Sequence, residues 1–192
     1  MRLSKSEFRA MQSLPRRLGQ RFFELPMFQK MGMELREKDV LEIGCGSGYG
    51  AHLIGLLRPR SYVGVDIMAE QIELARAKYP QFRFLEQDAK ALIQFSNESL
   101  DAVIIFGVLH HIPNWRSVLD EVGRVLKRGG SLHLEEPRVS DLKLFDSIFH
   151  WAHPDSDFGL MSLEAHLSSR GFTIKKKHWT PLLTMYHILK PH

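Results

Sequence analysis

The rhythm of apolar positions changes near residue 38. Before it, Phe8, Met11, Leu14, Leu18, Phe22 and Phe23 recur at spacings of three or four between Ser4 and Met33, the period of an amphipathic helix. Pro15 and Pro26 fall inside that run and predict that it is divided into short pieces. After residue 38, short apolar runs rich in β-branched residues alternate with helical stretches. Strands are expected at Val40–Ile43, Tyr62–Val65, Phe82–Leu85, Ala102–Phe106 and Leu132–Glu135. Helices are expected between them, at Tyr49–Leu57, Ala69–Tyr79 and Trp115–Leu126. Pro59 and Pro80 end the first two, Arg128-Gly129-Gly130 reads as a glycine stop for the third, and Pro137 breaks the fifth strand. Leu142–Trp151 and Ser162–Ser169 then read as helices. Phe172–His178 and Leu183–Leu189 read as two closing strands, a hairpin around Thr180-Pro181.

Short buried strands separated by helices mean a mostly parallel sheet covered on both faces. The expected architecture is α/β and doubly wound, a single compact unit over residues 37–192 with a helical N-terminal segment over 1–36. That segment reads equally as a cap packed on the domain and as a lid over a ligand site.

Composition adds limits. At 192 residues, with 44% apolar and 25% charged, the chain suits one ordinary globular domain. No apolar run approaches the ~20 residues that span a bilayer, and no apolar h-region follows Arg2, Lys5 and Arg9. The default compartment on that reading is the cytoplasm. The single cysteine, Cys45, excludes an internal disulfide framework and a thiolate metal site. A net charge of +4 is mildly basic, concentrated at Arg16-Arg17 and Lys175-Lys176-Lys177. Such runs read as solvated faces, so nucleic-acid binding is disfavoured. Ten histidines form neither an H-E-x-x-H pattern nor a Cys/His ladder.

The densest chemistry lies in Val40-Leu41-Glu42-Ile43-Gly44-Cys45-Gly46-Ser47-Gly48. A strand runs into a loop with glycine at alternate positions, which presents bare backbone to a ligand, and the following helix turns its first N–H groups the same way. Asp66 ends the second strand, 18 positions past Gly48, where a carboxylate can accept both hydroxyls of a ribose. A dinucleotide fingerprint G-x-G-x-x-G would need glycine at position 49, and Tyr49 stands there. Glu42, beside the loop, suits a cofactor with a cationic amine better than one with a diphosphate. These residues favour S-adenosyl-L-methionine over NAD.

With these motifs the chain resembles the class I S-adenosylmethionine-dependent methyltransferases of the small, type 11-like group. The resemblance runs from Lys38 to Glu136. It rests on Leu41–Gly48, on Tyr62-Val63-Gly64-Val65-Asp66-Ile67, on Glu86-Gln87-Asp88-Ala89, on Leu100–Phe106 with Leu109-His110-His111-Ile112, and on Arg124–Gly130. It implies a Rossmann-like methyltransferase fold whose seventh strand is antiparallel. The resemblance further implies that Gly44, Cys45 and Gly46 lie against the methionine and ribose parts of the cofactor, with Glu42 near the amine. Asp66 would hold the ribose and Ile67 would pack on adenine, while Gln87, Asp88 and Ala89 would read the base. Phe106, with Gly107, would border the reacting methyl.

Transfer of methyl from a sulfonium is an in-line displacement, and a general base is needed only if the acceptor must lose a proton. His110 and His111 follow the fourth strand and are the candidates for that role. Phe106-Gly107-Val108-Leu109 replaces the Asn/Asp-Pro-Pro-aromatic tetrapeptide of enzymes acting on base amino groups, so that acceptor class is disfavoured. Phe145, Phe149, His150, Trp151, His153 and Phe158 offer an aromatic cover for a small acceptor, or ordinary helix packing. His150, His153, Asp155 and Asp157 lack the spacing of a metal site, and no metal is expected. The leading expectation is methylation of a small molecule. Against it stand a catalytically silent cofactor-binding regulatory or partner protein, and a nicotinamide oxidoreductase that Tyr49 and Glu42 oppose.

Overall fold

The computed structural model describes residues 13–137 and 157–192. The expected helix at Leu142–Trp151, with Phe8, Met11, Phe145, Phe149, His150 and His153, lies outside them. Two short helices, α1 (Leu14–Gly19) and α2 (Leu25–Lys30), precede β1 (Asp39–Ile43), α3 (Tyr49–Gly55), β2 (Ser61–Asp66), α4 (Ala69–Lys78) and β3 (Arg83–Glu86). Then come β4 (Leu100–Phe106), α5 (Trp115–Val125), β5 (Leu126–Pro137), α6 (Leu160–Ser169), β6 (Thr173–Trp179) and β7 (Leu183–Leu189). The strands form one sheet in the order β3-β2-β1-β4-β5-β7-β6. The β3, β2, β1, β4 and β5 pairings are parallel, and β7 runs antiparallel to β5 and β6.

Strand alternation divides the core. Leu41, Ile43, Val103, Ile105, Leu132 and Leu134 pack with α5 and α6 on one face. Val40, Ala102, Ile104 and Phe106 pack with α2, α3 and α4 on the other. β4 is buried on both faces, which is why its sequence is apolar throughout.

Two expectations are corrected. Pro26 does not divide the N-terminal helical run, because a π-helical turn, Gln20–Glu24, joins α1 directly to α2. In a regular helix the Pro26 ring would crowd the Phe22 carbonyl. The wider turn, marked by Leu25 N–H donating to Gln20 O, removes that conflict. Nor do Gly129 and Gly130 stop the third helix. α5 ends at Val125 and the chain enters β5 at once, with an irregularity between the pairs Leu100–Leu126 and Ala102–Ser131. Gly129, at φ 72°, donates to Lys190 O and Gly130 O accepts from Lys190 N. These glycines fit a bulge to the end of β7. Among the described residues no helix is long and apolar enough to cross a membrane.

Candidate functional site

The order of strands reverses between β1 and β4, and in such sheets ligands sit beyond the strand ends at that point. There the chain leaves β1 through Gly44, Gly46 and Gly48, with φ of 71°, 51° and 86°. Gly44 and Cys45 both donate to Val65 O, at 2.8 and 3.0 Å, which holds the loop across the end of β2. The close approach also explains the residue type. A Cβ on Gly44 would stand 2.4 Å from Val108 Cγ2.

A cleft of about 200 Å³ opens over this loop. Its lining brings together Gly44, Gly46, Asp66, Ile67, Gln87, Asp88 and Ala89, with His111, Ile112 and Pro113 at the β4 side. Glu42, Cys45 and Phe106 line a smaller cavity of about 60 Å³, which shares Gly44, Gly46 and Gln71 with the cleft. The two adjoin at the glycine loop. His110 lines neither cavity.

Three carboxyl groups, Glu42, Asp66 and Asp88, line the two cavities, beside the cations Arg16 and Lys90. Asp66 takes Gly46 N–H on Oδ2 at 3.0 Å and Met68 N–H on Oδ1 at 2.9 Å, so it ties the glycine loop to the turn that leads into α4, and it faces the cleft. Burial raises its pKa, against the pull of those donors. Asp88 accepts from Lys90 N–H at 2.9 Å and pairs with the Lys90 ammonium at 3.4 Å. Glu42 is buried, accepts from Tyr62 Oη–H, and is pushed up to about 8 chiefly by burial. Its carboxyl fits because position 50 is glycine, where a Cβ would lie 2.1 Å from Glu42 Oε1. Burial pushes the Cys45 thiol far up, so it is no nucleophile.

The residues that sequence reasoning missed act at a distance. Gln71, on α4, lines both cavities, is buried, and its Oε1 has no partner. Its signal was a polar residue on the buried face of a helix. Glu136, fully buried at the end of β5, accepts Val108 N–H at 3.1 Å and Leu109 N–H at 2.8 Å on Oε1. Its Oε2 lies 2.7 Å from His110 Nδ1. Burial pushes Glu136 up to about 8. Gly107 N–H donates to Glu135 O at 2.8 Å, so β5 holds the first three residues after β4. The His110 and His111 rings stand 4.0 Å apart. His110 packs inward on Glu136, and His111 faces the cleft. From the N-terminal side, Arg16 and Gln20 line the smaller cavity, and Arg16 pairs with buried Glu24 and, at 3.3 Å, with Glu135.

Asp157 is held by Arg116 and the Trp115 indole N–H, while His150, His153 and Asp155 lie outside the described residues. Phe158 is buried edge-on against Trp115 at 5.6 Å, which is core packing.

Comparison with known proteins adds four findings. A family model described as "Methyltransferase domain" matches residues 41–134. A phthiotriol/phenolphthiotriol dimycocerosates methyltransferase of Mycobacterium leprae is 38% identical over 112 residues, 57% of this chain and 41% of that one. A Mycobacterium tuberculosis protein named "Probable S-adenosylmethionine-dependent methyltransferase" is 31% identical over 111 residues, 58% of this chain and 40% of that one. The matched stretch spans about two fifths of each relative. A crystal structure of a Pyrococcus horikoshii protein superposes with a TM-score of 0.81 at 22% identity, covering 96% of this chain and 95% of the other. That likeness shows the fold.

Proposed function

With residues 41–134 the chain belongs to the class I S-adenosylmethionine-dependent methyltransferases, and on that premise we propose that it methylates a small, lipid-type acceptor. The observation that carries the reading is the placement of four acceptors along two adjoining cavities: Glu42, Asp66, Asp88 and the unpartnered Gln71 Oε1. A ligand bearing an ammonium, two ribose hydroxyls and an exocyclic amine supplies donors to all of these.

On this reading Glu42 and Gln71 face the amino-acid end of the cofactor, Asp66 takes the ribose hydroxyls, and Ile67, half exposed at the cleft wall, covers adenine with Asp88 and Ala89 at its edge. Bound S-adenosylmethionine supplies an electrophilic methyl group. The chain's own task is to hold the acceptor in line and dry, an effect worth ~7–11 kcal/mol in well-oriented reactions. Val108, Ile112 and Pro113 give the acceptor side an apolar wall, in keeping with an acceptor of lipid type such as the one in the Mycobacterium leprae relative's name. His111 is the cleft-facing base where the acceptor must lose a proton. His110 acts through Glu136 as a brace for the segment that carries it.

Calorimetric titration with S-adenosylhomocysteine and with NAD tests the premise. Saturable binding of the first and none of the second is expected. Binding of NAD alone would overturn the reading in favour of a dinucleotide enzyme. Saturable binding of S-adenosylhomocysteine with no methyl transfer to any lipid-type alcohol or phenol would favour a silent binding protein.

A further inference from the structure

The lysine run of β6 meets the N-terminal helical run on one side of the molecule, together with apolar side chains that the core does not use. Along the N-terminal helical run Leu14, Leu18 and Phe22 are 67%, 45% and 68% exposed. The run lies beside β6, the edge strand of the sheet. The Phe23 ring is 6.4 Å from that of His178, and Lys176 Nζ donates to Lys30 O at 3.3 Å. The tip of the adjoining hairpin exposes Leu182 at 60%. Among these side chains stand the exposed cations Arg21, Lys30, Lys175 and Lys176.

Among the described residues of these two segments, negative charge is sparse. Residues 14–33 contain one acid, Glu24, which is buried on Arg16. Residues 165–192 contain none. Glu164, on α6, pairs with Lys177, and among the described residues Lys175 and Lys176 have no carboxylate partner. We infer that this face docks on an anionic lipid surface, with Leu14, Leu18, Phe22 and Leu182 entering the headgroup boundary and the cations pairing with lipid phosphates.

Charge complementarity selects that occupant. An exposed apolar face rimmed by Lys and Arg, with no free carboxylates, is the pattern of an interfacial helix. A second copy would bring the same cations face to face, and three successive lysines on an edge strand oppose strand-to-strand pairing. The opposite side of the same helical run presents Arg16 and Gln20 to the smaller cavity. Docking therefore brings the lipid phase to an element that borders the site. The inference does not depend on methyl transfer, because lipid binding requires neither cofactor nor acceptor.

The test is co-sedimentation of the whole chain with vesicles of phosphatidylcholine alone and of phosphatidylcholine mixed with phosphatidylglycerol. The chain is expected to pellet with the mixed vesicles, to be released by added salt, and to remain in solution with the neutral ones. Phe22→Glu should lower the partition coefficient at least about tenfold. Leu182→Glu, on the hairpin and outside the helix, should lower it by a smaller factor, which keeps the test valid if the first variant folds poorly. The inference is overturned if the native chain ignores anionic vesicles, or if both folded variants pellet as the native chain does. It is equally overturned if ultracentrifugation finds a dimer that Phe22→Glu dissociates while vesicles bind neither form.

Discussion

Two walls face each other across the same cleft, and they are built in opposite ways. The β1–β2 wall is local: within 25 residues, from Glu42 to Asp66, it contains its own glycines, its own carboxylates and the hydrogen bonds from Gly44, Cys45 and Gly46 that tie them together. The β4 wall, Gly107 to Pro113, leans on distant residues. Gly107, Val108 and Leu109 donate to Glu135 and Glu136, 27 or 28 residues on. His111 and Ile112 donate within the turn to Val108 O and Leu109 O, and Arg16 reaches Glu135 from the other end of the chain. A wall that must fit one constant cofactor can be fixed in a motif. A wall held by a distant brace can change its lining without losing its frame.

The sharpest way to break that contrast is to remove the brace. Glu136→Ala leaves two buried N–H groups and His110 without their acceptor, and should cost about 3–5 kcal/mol of stability by denaturant titration. Glu136→Gln keeps an oxygen where Val108 and Leu109 donate, so it should cost less than half as much. Equal losses for the two would mean that the carboxyl braces nothing. Next in size is the point where the walls touch. Gly44→Ala meets both a positive φ and Val108, and should cost ~2–4 kcal/mol. Adding Val108→Ala should return the steric share, a coupling of about 1–3 kcal/mol in the double-mutant cycle. Strict additivity would show that the walls are independent.

The same contrast explains what was legible in the sequence. Strands β1, β2 and β4 and the order of elements follow from local apolar runs and glycine punctuation, and Asp66 from a fixed spacing. Gln71, Gly50 and Glu136 are legible only through partners that the sheet brings near. Gly50 looks like an ordinary helix residue until the Glu42 carboxyl fills its missing side chain. Gly129-Gly130 misled for the same reason: a glycine pair after a helix matches a stop, and only the Lys190 backbone shows that it receives β7. Pro26 misled because a π turn is a backbone response that leaves no pattern in side chains.

On the local wall, Asp66→Ala should weaken S-adenosylhomocysteine binding at least about tenfold, 1.4 kcal/mol or more. The same substitution also releases the Gly46 and Met68 N–H groups. Asp66→Asn separates the two effects. It keeps an oxygen for one backbone donor but removes the charge and one acceptor, so stability should recover more than affinity does. Unchanged affinity in both variants would remove Asp66 from the cofactor reading.

The smallest effect is expected between neighbours. His111 borders the cleft and is partly exposed, whereas His110 is buried on Glu136. His111→Ala should therefore leave stability within about 0.5 kcal/mol, and cofactor affinity within about twofold, since it stands on the acceptor wall. His110→Ala should cost ~1–3 kcal/mol of stability through the acceptor left unpaired on Glu136. Turnover then discriminates between positioning and proton transfer. If His111 takes a proton from the acceptor, its loss removes the acid limb of the pH–rate profile, because no other imidazole lines the cleft among the described residues. His110→Ala would lower the rate across the profile without moving that limb. The reverse pattern would mean that the buried histidine, and not the exposed one, carries the proton, and that the β4 wall opens further than its hydrogen bonds to β5 allow.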